Sequence, residues 1–250
     1  MSHLAKPESV EIFSVARPFS GFQFAEDRFA GSPPIRKLFS LNRCREGHTL
    51  IIEKVPAEGT VKDENEEMAA LYPDFLHVDL CRISFWKKAV NEDALGDLTS
   101  ADCIGYALLK LDQVPSQDFN RWIIYEAVFA TYPHPHSYVN ASRSFEFRVG
   151  DKRYHIHGCL YAQQNGLNKT CAQVALRSIC GTYLGNNEVS YREINRMAAS
   201  VNPAFHPADG LYPVEAEAVL QGLNIPYASL DYGHAAKKSP ISLKKSPIRS

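Results

Sequence analysis

One stretch of the chain carries residue types that can do covalent chemistry. Residues 163–184 read QQNGLNKTCAQVALRSICGTYL and set a thiol, Cys171, at the start of an apolar, helix-periodic run. Thr170 and Gln173 have the T-x-x-Q spacing of a helix-capping box, which makes Cys171 the first helical residue. Free N–H groups at a helix start favour the thiolate, the nucleophilic form of cysteine. The Cys171 N–H is itself free to face a developing oxyanion, and a second donor is then needed from the side. Gln164 or Gln163, seven and eight residues upstream, offers a neutral amide for that role, and Gly166 lets the loop turn back. The plain alternative is a small core cysteine beside loop polars. None of the other five cysteines (Cys44, Cys81, Cys103, Cys159, Cys180) has such a setting.

A thiol nucleophile needs a base that takes its proton and later protonates the leaving group. Two histidines follow Cys171. His206 lies in a loop, NPAFHPADG, between two expected helices, and His234 lies in DYGHAAKK. His155, His157 and Cys159 alternate along an expected strand and share one face, but a fourth metal ligand at recognisable spacing is missing. His134 and His136 flank Pro135 in a loop and read as solvated. No metal site and no cofactor are expected.

The elements that must position Cys171 change character along the chain. Residues 1–35 read as irregular, since FAGSPPIRK carries Gly, Ser and two prolines. Residues 36–160 read as a β-rich domain. HTLIIEKV (48–55), LHVDLCRISFW (76–86), CIGYALLKL (103–111) and RWIIYEAVFA (121–130) are its strands, with a short acidic helix over 63–75. SFEFRV (144–149) and KRYHIHGCLYA (152–162) flank Gly150-Asp151, a two-residue hairpin turn. Helices are expected from Cys171 to Leu184, stopped by Gly185-Asn186-Asn187, from Ser190 (boxed with Glu193) to about Ala199, and from Pro213 to Gly222. NIPYASLDY reads as a strand. Residues 233–250, with the repeat KKSPIS-L-KKSPIR, read as a basic disordered tail. The fold class is therefore α+β.

Bulk composition bounds the function. Of 250 residues, 45% are hydrophobic and 22% charged, as in an ordinary globular protein, and the formal net charge of −1 implies no pull toward nucleic acid or anionic lipid. No apolar run reaches signal-peptide length at the start, or the roughly 18 residues of a membrane span anywhere. Without a C-x-x-C pair, the expectation is a reducing, cytoplasmic setting with free thiols.

The nucleophile stretch resembles the papain-like cysteine peptidases, in particular the bacterial group related to bacteriocin-leader peptidases. Their pattern runs Q-Q-D-G, four residues, then C-A-x-x-A. Here it stands as Gln163-Gln164-Asn165-Gly166, then Leu167 to Thr170, then Cys171-Ala172-Gln173-Val174-Ala175, with Asn165 where aspartate is common. The resemblance implies Cys171 as nucleophile and Gln164, with Gln163 as the alternative, as the oxyanion-hole residue. It covers most of residues 48–228, because the upstream strands also resemble a β-rich leader found before such a peptidase part. The histidine region departs from the family. His234 matches a "GHA" strand start, but Ala-Ala-Lys-Lys-Ser-Pro replaces the apolar strand, and no Asn or Asp follows. The expectation is a papain-like thiol hydrolase of peptide or isopeptide bonds with a peptide or protein substrate. In it the C-terminal half is lost or replaced by the KKSPI tail, and the chain as written is catalytically weak or dead. A non-catalytic or truncated binding or regulatory module of the same fold is the alternative.

Overall fold

A computed structural model describes residues 2–131, 143–184, 189–229 and 244–245. Seven antiparallel strands form one curled, half-barrel sheet, and helices follow it in the chain, so the fold is α+β. The strands are β1 (Ser9–Ser14), β2 (Thr49–Lys54), β3 (Leu76–Trp86), β4 (Cys103–Val114), β5 (Phe119–Ala130), β6 (Arg143–Val149) and β7 (Lys152–Tyr161). Their spatial order is β1-β2-β3-β4-β5-β7-β6. The β6–β7 hairpin turns where expected, with Val149 opposite Lys152 and Gly150 at a positive φ of 56°.

The first 35 residues are not irregular. They hold the edge strand β1, helix α1 (Gly21–Phe29) and the start of α2 (Pro33–Cys44). The two prolines of FAGSPPIRK occupy the first turn of α2, where an N–H has no intrahelical acceptor to lose. Ser20 caps α1 by accepting from the Gln23 N–H. Ala25, Phe29, Ile35, Leu38 and Phe39 of these helices then bury one face of the sheet, against Leu50, Ile83, Phe85 and Leu109.

The central strands β2 to β5 are buried almost throughout instead of alternating. Both faces are covered, and the strands carry apolar residues on both for that reason. On the second face, Trp86, Tyr106, Phe147 and Tyr154 pack where β6 and β7 curl over. Three buried ion pairs share this side: Arg82–Glu53 at 2.8 Å, Lys110–Asp112 at 2.9 Å and Arg177–Glu126 at 3.0 Å. Residues near the N-terminus fill the remaining gap. Arg82 Nη1 donates to the carbonyls of His3 and Ala5 at 2.9 and 3.1 Å, and His3 Nδ1 lies 3.1 Å from Glu126.

Helix α3 (Thr60–Leu71) crosses between β2 and β3. Helices α4 (Cys171–Leu184), α5 (Tyr191–Val201) and α6 (Pro213–Gly222) follow the sheet, with the ends read from the sequence at α4 and α6. The Ser190–Glu193 capping box of α5 is formed. Leu176, Cys180, Ile194 and Val219 join the three helices, while Val174 and Tyr191 reach Leu108 and Tyr125 of the sheet. Of the tail read as disordered, Lys244–Lys245 forms a short strand, β9, antiparallel to β8 (Ala228–Ser229). This gives the NIPYASLDY stretch a backbone partner. The stop Gly185-Asn186-Asn187 and the histidines His134, His136 and His234 lie outside the described residues. No described helix is long and apolar enough to cross a membrane.

Candidate functional site around Cys171

Cys171 is the first residue of α4 and its side chain is exposed. The Val174 N–H donates to the Thr170 carbonyl at 2.9 Å, which makes Thr170 the residue that opens the helix. The expected T-x-x-Q box is absent. Thr170 Oγ1 is buried without a hydrogen-bond partner, and Gln173 turns inward, fully buried, with Nε2 donating to the Pro207 carbonyl at 3.5 Å. Tertiary packing has claimed the glutamine that a local cap would use, because position 173 faces α3, α5 and the Pro207 loop while position 171 is exposed.

The loop before the thiol is pinned at both ends. Gln163 continues β7 along β5: its N–H donates to Ile124 O at 2.9 Å, and its Oε1 accepts from Ile124 N at 3.1 Å. That commits Gln163 to the sheet. Gln164, the next residue, is exposed and lines an open cleft of about 410 Å³ with Arg121, Tyr161, Gly166 and Val174. Cys171 is not among the residues lining that cleft. Asn165, in the place of the family's aspartate, is buried. Its Oδ1 accepts from the N–H groups of Leu167 (3.0 Å) and Asn168 (3.4 Å), a local turn that either side chain can make. Gly166 sits at φ 80°, which an L side chain would strain. Tyr72 Oη holds the Leu167 carbonyl at 3.0 Å.

A second loop docks on the same turn. Lys169 N donates to Ala208 O at 3.1 Å, and Gln173 Nε2 reaches Pro207 O, so residues 207–208 are bonded on both sides of Cys171 in the chain. His206 opens this loop. Its ring is exposed, and Nδ1 accepts from the Ala208 N–H at 3.4 Å, capping the 3₁₀ turn Pro207–Asp209. No histidine is hydrogen-bonded to Cys171 among the described residues. His155 and His157 point outward on β7, His155 lies 3.8 Å from Glu146, and no three His, Cys, Asp or Glu side chains converge to hold a metal among the described residues.

The other thiols contrast with Cys171. Burial pushes Cys103 up to about 12 and Cys180 up to about 11, and it raises Cys81 further. Cys44 is exposed and is the last residue of α2.

Sequence reasoning missed what holds this turn from behind. Arg177, six residues into α4, is fully buried. It donates to Tyr125 O at 2.6 Å and Glu126 Oε2 at 3.0 Å, and stacks 4.1 Å from the Tyr125 ring centroid. The available signal was a cation among Val174, Leu176, Cys180 and Gly181 on one helix face. It also missed a small cavity under Thr170 and Gln173, bordered by Glu64 and Glu67 of α3. Burial raises the pKa of both carboxyls, against the opposing pull of Lys110 on Glu64 and Arg192 on Glu67. In comparisons with protein-family models, curated proteins and solved structures, nothing matches this chain.

Proposed function

We propose that this chain is a papain-like thiol hydrolase acting on peptide or isopeptide bonds. The observation that carries the reading is the exposed thiol of Cys171 at the first position of a helix whose inner face is anchored to the sheet. The Cys171 sulfur attacks the substrate carbonyl carbon, a C–S bond forms, and the carbonyl oxygen takes the negative charge. The Cys171 N–H and the Gln164 amide stabilise that oxyanion. The commitment of Gln163 Oε1 to Ile124 supports Gln164 over Gln163. Expulsion of the amine needs a proton, and water then releases the acyl group. His206 is one donor, since its loop is bonded to the Cys171 turn, and His234 is the other.

The rival reading, a binding module of the same fold without catalysis, is favoured by one observation: among the described residues no histidine is bonded to the thiol. A fluorogenic peptide library separates the two, assayed with wild type, Cys171→Ala, Gln164→Ala, His206→Ala and His234→Ala. Turnover lost in Cys171→Ala and in one histidine variant supports the hydrolase and identifies the base. Silence of wild type, with a thiol-directed suicide probe still labelling Cys171, supports the module. Turnover that survives Cys171→Ala would end the thiol-hydrolase reading.

A further inference from the structure

We infer that the cleft beside Gln164 receives an acidic residue of the substrate, bound through its carboxylate by Arg121, so that the chain selects peptides with Asp or Glu close to the scissile bond. The inference rests on the hydrolase reading and deepens it by naming a substrate class. The cleft, of about 410 Å³, falls within the roughly 300–1,000 Å³ of small-ligand sites. Gln164, the proposed oxyanion donor, stands in its wall, and so does Val174, about one turn along α4 from Cys171. Cys171 is not part of the wall. A peptide whose reacting carbonyl sits between the Cys171 N–H and the Gln164 amide therefore continues, on the Gln164 side, into this cleft.

What the cleft offers that residue is set by its lining. Ile123 and Val174 are buried and Tyr161 is half exposed, so the wall has apolar surface for the stem of a side chain. Among the described residues that line it, Arg121 alone is charged. Its guanidinium is placed by two neighbours: Cζ lies 5.5 Å from the Phe119 ring centroid, and Nη1 lies 3.8 Å from where a Cβ on Gly166 would stand. The charge is thereby set against the loop that carries Gln164, two residues before Gly166.

The chain supplies this cation with no carboxylate of its own. Arg28, Arg82, Arg153 and Arg192 each meet one. Among the described residues Arg121 meets none. Asp112 stands opposite it on β4, but its carboxylate is engaged by Lys110 at 2.9 Å and His77 at 3.2 Å. A guanidinium keeps its charge at any physiological pH and offers a carboxylate two parallel N–H donors. A lysine of the substrate in the same place would meet like charge, and a glutamine would forgo the ion pair. The cleft therefore sorts substrates by the sign of one side chain.

Internally quenched serine–alanine peptides test it, with a single Glu, Gln or Lys walked along the sequence. Hydrolysis is measured as kcat/KM for wild type, Arg121→Ala, Arg121→Glu and Arg196→Glu, the last making the same charge change at an exposed position of α5. Binding of the same peptides to Cys171→Ala and to Cys171→Ala/Arg121→Glu, read by fluorescence anisotropy, needs no catalysis. Far-UV circular dichroism checks that each variant is folded. At one position, wild type is expected to favour Glu over Lys at least about fivefold, the upper range of a solvent-exposed ion pair. Arg121→Ala should abolish that preference, Arg121→Glu should reverse it, and Arg196→Glu should keep it. Acid-selective binding that Arg121→Glu reverses, without turnover by wild type, would strike the hydrolase reading and leave the acidic ligand class standing. Turnover with no preference for Glu at any position would overturn this inference and leave the hydrolase reading standing. A preference unchanged in Arg121→Glu, an equal shift in Arg196→Glu, or neither turnover nor binding of any peptide would overturn it as well.

Discussion

Replacing Arg177 by methionine should destabilise the protein more than any exposed change on α4. The guanidinium is fully buried, donates to the Tyr125 carbonyl at 2.6 Å and to Glu126 at 3.0 Å, and stacks on Tyr125 with a second ring, Tyr191, 5.5 Å away. Methionine keeps much of the side-chain volume but takes the Arg177 donor from the Tyr125 carbonyl and the guanidinium from the Glu126 carboxylate. Glu126 keeps His3 Nδ1 at 3.1 Å and the Tyr106 hydroxyl at 3.2 Å but loses its guanidinium. Breaking one side of a buried pair costs about 3–5 kcal/mol. With an m-value of about 3 kcal/mol/M, the urea midpoint should fall by about 1–1.7 M. The double variant Arg177→Met/Glu126→Gln removes the stranded charge and should recover part of the loss, giving a coupling energy of about 1–3 kcal/mol. Equilibrium urea unfolding of the four proteins measures both quantities. A single-variant loss under about 1 kcal/mol would refute the claim that this pair anchors α4. Strict additivity of the two changes would refute the claim that they act through each other.

Further outcomes follow from named contacts. Iodoacetamide at neutral pH should label Cys171 first, while Cys81, Cys103 and Cys180, raised by burial, react only on unfolding; peptide mass spectrometry reads the order, and earlier labelling of Cys103 would contradict it. Ser190→Ala should cost about 0.5–2 kcal/mol, since the Ser190 hydroxyl accepts from Glu193 N at 3.1 Å at the start of α5, and a urea midpoint equal to wild type would count against the cap. Gly158→Ala should destabilise by about 1–3 kcal/mol, because the added Cβ would sit 2.3 Å from the Phe129 carbonyl oxygen where β5 pairs with β7; an unchanged melting temperature would show that the strands give way freely. Hydrogen bonds from the Ser116 N–H (2.6 Å) and hydroxyl (3.0 Å) hold the Asp74 carboxyl below the ordinary aspartate range, so its contribution is present above that range and is lost as pH falls through the folded value. Asp74→Asn should therefore flatten part of the stability loss between about pH 5 and pH 2, and identical acid profiles for the two proteins would exclude this role.

Local pattern was enough to place most elements of this chain. Apolar runs bounded by turn residues located β2 to β7, the Gly150-Asp151 turn fixed the last hairpin, and Ser190-x-x-Glu193 and Pro213 marked two helix starts, because each of these signals acts over a few residues. The same local logic misread FAGSPPIRK, where two prolines open a helix, and TCAQ, where the box was written but not made. In the second case distant groups decided: Pro207 took the Gln173 amide, and α3 and α5 enclose the rest of that residue. The position of Cys171 at a helix start was legible in the sequence; its exposure, and the docking of residues 207–208 on both sides of it, depended on which face α4 presents to the sheet. Arg177 with Glu126, and the acceptors around the cavity, come from elements far apart in the chain, 51 residues apart for that pair. Their meaning lies in being buried together. Burial is a property of the curled sheet and its covering helices, and low-dielectric surroundings turn ordinary polar side chains into strong constraints only once the chain has folded around them.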